Sequence, residues 1–80
     1  MKNASEQFKP GDVVLGGVAV VLATKRDYVL AIAPQSQQPF VTWWVSPRGE
    51  VLSGTYHREI GDAIRSLSQR AADAAARAAA

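Results

Sequence analysis

The chain has 80 residues, a mass of 8.6 kDa and a formal net charge of +2, and 48% of its residues are hydrophobic. That length allows one domain at most, and such a domain buries only about 60–65% of the surface that its unfolded chain exposes. Because the chain has no cysteine, disulfides and cysteine-ligated metals cannot supplement the core, whereas a second copy of the chain would. The mild positive charge permits contact with nucleic acid but is weaker than that of dedicated nucleic-acid binders.

The apolar run from Val13 to Ala23 is the segment to test for membrane insertion or export. It is 11 residues long, whereas a helix that spans a bilayer needs about 20 apolar residues. Lys25-Arg26-Asp27 follows it, where a signal-peptide cleavage site would require small residues. We therefore interpret the run as a buried strand and expect a cytoplasmic protein with no membrane contact.

Turn signals divide the first half of the chain into strands. Pro10-Gly11 predicts a turn before the strand Val13–Ala23, and Gly16-Gly17 predicts a bulge or bend that makes this segment one strand or two. The charged segment Thr24–Asp27 predicts another turn. Tyr28–Ala33 is rich in apolar residues and predicts the next strand.

The clearest unit is a hairpin from Phe40 to Tyr56. Pro47-Arg48-Gly49 joins its two strands, because proline suits the first corner of a type I turn and glycine accepts the left-handed position that completes the loop. This turn predicts the facing residues of the two strands. The predicted pairs are Ser46 with Glu50, Val45 with Val51, Trp44 with Leu52, Trp43 with Ser53, Thr42 with Gly54, and Phe40 with Tyr56.

This register makes both faces of the hairpin apolar, whereas a sheet that meets water usually has one polar face. Adjacent tryptophans in a small β protein more often belong to the core and its rim than to a binding platform. Trp43 and Trp44 nevertheless point in opposite directions, so one helix cannot cover both. The second face is covered by the chain itself as a small barrel, by a second subunit or by another partner. The candidate interface residues are Phe40, Trp43, Trp44, Leu52 and Tyr56.

An amphipathic helix is predicted from about Glu59. Arg65 and Arg70 lie off its apolar stripe and are expected on the exposed helix surface. The stripe comprises Ile60, Ala63, Ile64, Leu67 and Ala71. The chain as a whole is predicted to form a flexible N-terminus, a single sheet-plus-helix domain and an alanine-rich tail that is helical or disordered, at residues 1–7, 8–72 and 73–80.

The sequence lacks the patterns that catalysis requires. His57 is the only histidine, there is no cysteine nucleophile, and no serine lies in a Gly-x-Ser-x-Gly elbow. Neither a phosphate-binding glycine motif nor a metal-ligand spacing occurs. We therefore predict that the chain is not an enzyme and that it needs no cofactor or metal.

Basic residues at the turns suggest a second class of partner. In a meander, Lys25-Arg26 and Arg48 fall at the same end of the sheet, while Arg58 lies at the opposite end. Phosphate contacts require little more than such side chains, although lysine and arginine at turns also serve solubility. Candidate nucleic-acid contacts are Lys25, Arg26, Arg48, Arg58 and Arg65.

Two segments resemble a known class of fold. Phe8-Lys9-Pro10-Gly11-Asp12-Val13-Val14 is similar to the opening strand of small SH3-like barrels in bacteria, and Trp44-Val45, Gly49 and Gly54-Thr55-Tyr56 are similar to their later hairpin. The resemblance implies a small barrel. The long helix after Tyr56 departs from that pattern, so no functional residue is transferred from the family.

These observations predict an α+β fold, a twisted antiparallel sheet of about four to five strands with one C-terminal amphipathic helix. The alternative fold is an SH3-like barrel with an appended helix. The predicted function is a non-catalytic protein-interaction module whose partner is a second copy of the chain or another protein. The alternatives are nucleic-acid binding through the basic turns and helix arginines, and binding of a small ligand in a barrel mouth lined by Trp43 or Trp44.

Overall fold

Five antiparallel strands follow one another along the chain and pair in the same order, so the sheet is a simple meander. The computed structural model describes residues 4–79. The helices are α1 (Ala4–Gln7) and α2 (Ile60–Ala79), and a 3-10 turn lies at Leu15–Gly17. The strands are β1 (Val13–Val14), β2 (Ala19–Lys25), β3 (Tyr28–Ile32), β4 (Phe40–Val45) and β5 (Val51–His57).

The fold is therefore α+β, as predicted, and the sheet is curled into a half-barrel that is also compatible with an SH3-like barrel carrying an extra helix. The predicted strand Val13–Ala23 is two strands, because the 3-10 turn at Leu15–Gly17 reverses the chain between them. The turn predicted at Thr24–Asp27 is shorter than expected. Thr24 and Lys25 pair with β3, which leaves Arg26 and Asp27 as the turn.

Two apolar clusters lie on opposite faces of the sheet because successive side chains of a strand point to opposite sides. The first cluster contains Trp43, Val41 and Val45 and is covered by the N-terminal residues Ala4 and Phe8. The second lies between the sheet and α2. Residues 28–31 of β3 are all buried, so the central strand is covered on both faces.

The N-terminal segment forms part of this structure. Residues 1–7 were predicted to be flexible, but residues 4–7 form a helical turn, and Ala4 is fully buried with its N–H donating to the Arg26 carbonyl at 2.8 Å. Residues 1–3 of that prediction lie outside the described residues. Helix α1 thus packs between the sheet and the turn that joins β2 to β3.

Helix α2 buries a single row of small and apolar side chains against the sheet, namely Ala63, Leu67 and Ala71. Ile60 and Ile64, which the predicted stripe included, stay 47% and 48% exposed because they lie on the neighbouring row. The alanine-rich tail was predicted to be either helical or disordered, and it is helical as far as Ala79. Ala80 lies outside the described residues.

Candidate interaction surface

Trp43 belongs to the face of the hairpin that α2 does not cover, and it is nevertheless only 5% exposed. Its ring packs edge-to-face against Tyr56, with 6.5 Å between the ring centroids and an angle of 87° between the planes. It also lies directly over Gly54, where a Cβ atom would come within 2.7 Å of Trp43 Nε1. The sequence left three possibilities for what covers this face: the chain itself, a second subunit or another partner. For Trp43 the structure shows the first of these.

A β-bulge in β5 corrects the predicted register of the hairpin. Val45 faces Val51 and Trp44 faces Leu52 as predicted, but Thr42 then faces Thr55 rather than Gly54. Phe40 likewise faces His57 rather than Tyr56. Because one extra residue enters β5, Tyr56 changes sides and joins Trp43 instead of Phe40.

The other candidate interface residues fall into two environments. Phe40 and Trp44 are half-buried against the cluster beneath α2, so the helix side of the hairpin is largely covered. Leu52 and Tyr56 are 44% and 47% exposed on the outer strand β5. The structure therefore leaves only these two of the five predicted interface side chains broadly accessible.

Arg70 lies in a polar network between helix and sheet rather than on the exposed surface where the sequence placed it. Its Nη1 donates to the Thr42 carbonyl at 2.9 Å and to Thr42 Oγ1 at 3.2 Å, and its Nη2 donates to the Ser53 carbonyl at 2.8 Å. The guanidinium also stacks 4.7 Å above the centre of the Tyr28 ring. Thr42 is fully buried, and its hydroxyl also shares a hydrogen bond with Ser66 Oγ at 3.2 Å.

These contacts explain how the bulge is held. Ser53 has a φ of 56°, a left-handed conformation that non-glycine residues seldom adopt. Arg70 binds the carbonyl of this residue while it binds β4 through Thr42, so one side chain joins α2, β4 and β5. An arginine can do this because its planar guanidinium presents several donors in a fixed arrangement. Arg70 is therefore a structural residue of the helix–sheet contact.

Three of the five candidate nucleic-acid residues meet at one end of the sheet. Lys25 is the last residue of β2, Arg26 lies in the turn after it and Arg48 lies in the turn between β4 and β5, and all three are exposed. A hydrogen bond of 2.7 Å from Val45 N–H to the Asp27 carbonyl joins the neighbouring strand ends. Helix α1 lies between the turns, since Gln7 Nε2 donates to the Ser46 carbonyl at 3.0 Å. We call Lys25, Arg26 and Arg48 the basic end.

The remaining two basic candidates are not part of this group. Arg58 follows β5 and so lies at the opposite end of the sheet, as predicted. Arg65 forms an ion pair with Asp62 one turn earlier on α2, and both side chains are more than half exposed. The structure thus separates the basic end from the arginines of the helix.

A cleft of about 430 Å³ opens between the two outer strands of the sheet, β1 and β5. Phe8, Val14 and Leu15 line one side, and residues 49–52 line the other. We call this cleft the seam, because pairing of β1 with β5 there would close the half-barrel. Phe8, Val14 and Leu15 were not among the surface residues predicted from the sequence. In a meander, however, the first strand is an outer strand, so residues in and beside β1 are expected near an unpaired edge.

The seam also bears on the small-ligand alternative. That hypothesis placed Trp43 or Trp44 at the mouth of a barrel, but neither tryptophan lines the seam. Trp43 is instead enclosed by Gly54 and Tyr56. The predicted tryptophan-lined mouth is therefore wrong for this cleft, whose lining is mainly aliphatic.

The described part of the chain contains no group of three or more His, Cys, Asp or Glu side chains that would hold a metal ion. Within residues 4–79, no helix combines the length and apolar character that crossing a membrane requires. Comparison of the chain with protein-family models, curated proteins and solved structures finds no match.

Proposed function

We propose that this chain is a small, non-catalytic protein-interaction module that associates with a second copy of itself. The observation that carries the proposal is the amount of apolar surface left outside the core. Among the described residues, eight large hydrophobic side chains are at least 36% exposed. They are Val13, Leu15, Val18, Leu22, Leu52, Tyr56, Ile60 and Ile64.

Size supports self-association. A domain of this length has a thin stability margin, and burying apolar side chains against a second copy adds about 25 cal/mol for each Å² removed from water. Some of the exposed residues are also close in sequence, such as Val13 with Leu15. Where such side chains lie side by side, exposed apolar surface typically marks an interaction site on a soluble protein.

Sedimentation equilibrium over a wide concentration range tests the proposal. We expect a concentration-dependent species of twice the 8.6 kDa monomer mass. Thermal unfolding should give a second readout, because the melting temperature of a dimer rises with protein concentration. A single monomeric species up to millimolar concentration, with a constant melting temperature, would contradict self-association.

Nucleic-acid binding is a second candidate because three exposed cations converge at the basic end. If Lys25, Arg26 and Arg48 each contact a phosphate of duplex DNA, the logarithm of the binding constant should fall with log salt with a slope of about −2.7. Fluorescence anisotropy with labelled duplex and single strands at low ionic strength measures this slope.

Neutralising the basic end provides the matched test. We expect the triple variant Lys25→Gln, Arg26→Gln, Arg48→Gln to lose both the binding and its salt dependence. The double variant Arg58→Gln, Arg65→Gln removes charges elsewhere on the surface and should retain most of the binding. An equal loss for each charge removed in the two variants would assign any binding to net charge rather than to the basic end.

A further inference from the structure

The seam gathers exposed apolar side chains on both of its sides. Leu15 on the β1 side is 51% exposed and Leu52 on the β5 side is 44% exposed. Val13 and Val18, which flank the 3-10 turn at Leu15–Gly17, are 62% and 53% exposed. Half of the exposed large hydrophobic side chains therefore lie at or next to the seam, where the two outer strands also present their unpaired edges.

Backbone groups of β5 point into this seam. The Ser46 N–H donates to the Glu50 carbonyl at 2.9 Å, and beyond this pair Val45 faces Val51 and Trp44 faces Leu52. In an antiparallel pair, hydrogen-bonded and non-bonded positions alternate along the strand. Leu52 therefore bonds to β4, while the N–H and C=O of Val51 point away from β4 toward the open edge.

The bulge ends this free edge after Leu52. Ser53 has a left-handed backbone, and its carbonyl accepts the hydrogen bond from Arg70 Nη2 at 2.8 Å. A bulge and an occupied carbonyl both prevent a further strand from pairing at that point. On the turn side of the bulge, residues 50–52 are therefore the part of β5 that is open to strand addition, and they are among the residues that line the seam.

We propose that the seam is the self-association surface, and that residues 50–52 of two copies pair antiparallel across a two-fold axis. The inference rests on the proposed function. Val51 of one copy then faces Val51 of the other, and Glu50 faces Leu52, so the two Glu50 carboxylates are not opposed. Val51 and Leu52 are uncharged, so each copy brings one charged side chain to the paired segment and no like charges lie directly opposite each other.

A stable dimer buries more surface than the paired strand residues can supply, so the side chains on both sides of the seam must also belong to the interface. The described chain exposes 4974 Å², and a standard interface takes about 800 Å² from each partner. Three residues of strand are too few to supply that area. Leu15, Leu52 and the flanking valines must therefore be buried along with the paired backbone, which fits their exposure in the single chain.

Charge substitutions on matched exposed residues test the location. By sedimentation we expect Leu15→Lys and Leu52→Lys each to raise the dimer dissociation constant by about tenfold or more. The control Ile64→Lys changes a residue of similar exposure, 48%, on α2 and should leave the constant unchanged. All three sites are exposed, so far-ultraviolet circular dichroism should show folded variants.

Hydrogen exchange of two neighbouring amides tests the strand pairing in the unmodified protein. Exchange of the Val51 amide should slow as concentration rises, whereas the Leu52 amide, bonded to β4, should be protected at every concentration. A monomer at all concentrations would overturn both self-association and the seam. A dimer broken by Ile64→Lys but not by the seam variants would overturn the seam alone, and a Val51 amide indifferent to concentration would overturn the pairing.

Discussion

Replacing Gly54 with alanine tests the packing that gives the hairpin its shape. A Cβ atom at this position would lie 2.7 Å from Trp43 Nε1, 3.0 Å from Trp43 Cδ1 and 3.2 Å from Tyr56 Cε1, whereas ordinary contact begins at 3.4 Å. Two rings must therefore move, and Trp43 has little room because it is only 5% exposed. We expect Gly54→Ala to be destabilising through steric overlap alone.

The size of the effect follows from the cost of overpacking a core. Forcing an extra methyl group into a well-packed site costs about 1–3 kcal/mol. For a domain of this size each kcal/mol lowers the melting temperature by about 4–8 °C, so a loss of roughly 5–20 °C is expected. Thermal unfolding followed by circular dichroism at one low protein concentration measures it without a contribution from association.

Gly61→Ala is the matched control, because it makes the same chemical change where space is open. The nearest atom to a Cβ at Gly61 is Arg65 Nη1 at 3.8 Å, and the residue lies in the first turn of α2. Alanine favours the helix over glycine by about 1 kcal/mol, so this variant should melt at a higher temperature than the parent chain.

A double-mutant cycle identifies the ring responsible. Trp43→Phe removes the Nε1 edge that lies over Gly54, so Gly54→Ala should cost less in that background, with a coupling of about 0.5–3 kcal/mol. If Gly54→Ala melts at or above the temperature of the parent chain, the contact of Trp43 with Gly54, and the bulge register built around it, is wrong.

Two further substitutions test the polar network. Arg70→Ala should lower the free energy of unfolding by about 2–3 kcal/mol in urea unfolding. Arg70→Lys should not restore it, because a single ammonium nitrogen replaces the two guanidinium nitrogens that bind Thr42 and Ser53. Arg65→Ala, which removes only an exposed ion pair, should cost less than about 1 kcal/mol, and equal losses at the two arginines would contradict the structural role of Arg70. Thr42→Val keeps the side-chain shape but leaves Ser66 Oγ without its partner, so it should cost about 1 kcal/mol; an unchanged stability would show that this buried hydroxyl is dispensable.

Local patterns predicted much of the fold. The Pro47-Arg48-Gly49 turn and the pairing of Val45 with Val51 and Trp44 with Leu52 are confirmed, and Gly49 has the expected positive φ of 87°. The α+β class and the C-terminal helix are confirmed as well. These features depend on residues close together in the chain, where turn chemistry and side-chain periodicity act directly.

Tertiary contacts decided the features that bear most on the candidate interaction surface. The bulge in β5 depends on Trp43 packing over Gly54 and on Arg70, 17 residues beyond Ser53, holding that carbonyl. The same bulge moves Tyr56 to the other face, which a register counted from the turn alone does not reveal.

The sequence by itself determined that both faces of the hairpin are apolar and that one helix covers only one of them. Only the tertiary structure decided what covers the other face, because the answer required the sheet to curl and to bring Ala4 and Phe8 against Trp43 and its neighbours. The packed structure also buries Trp43 and leaves other apolar side chains accessible, among them Leu15 and Leu52 at the seam between β1 and β5. Burial is a property of the whole packed chain, so no local pattern could assign it.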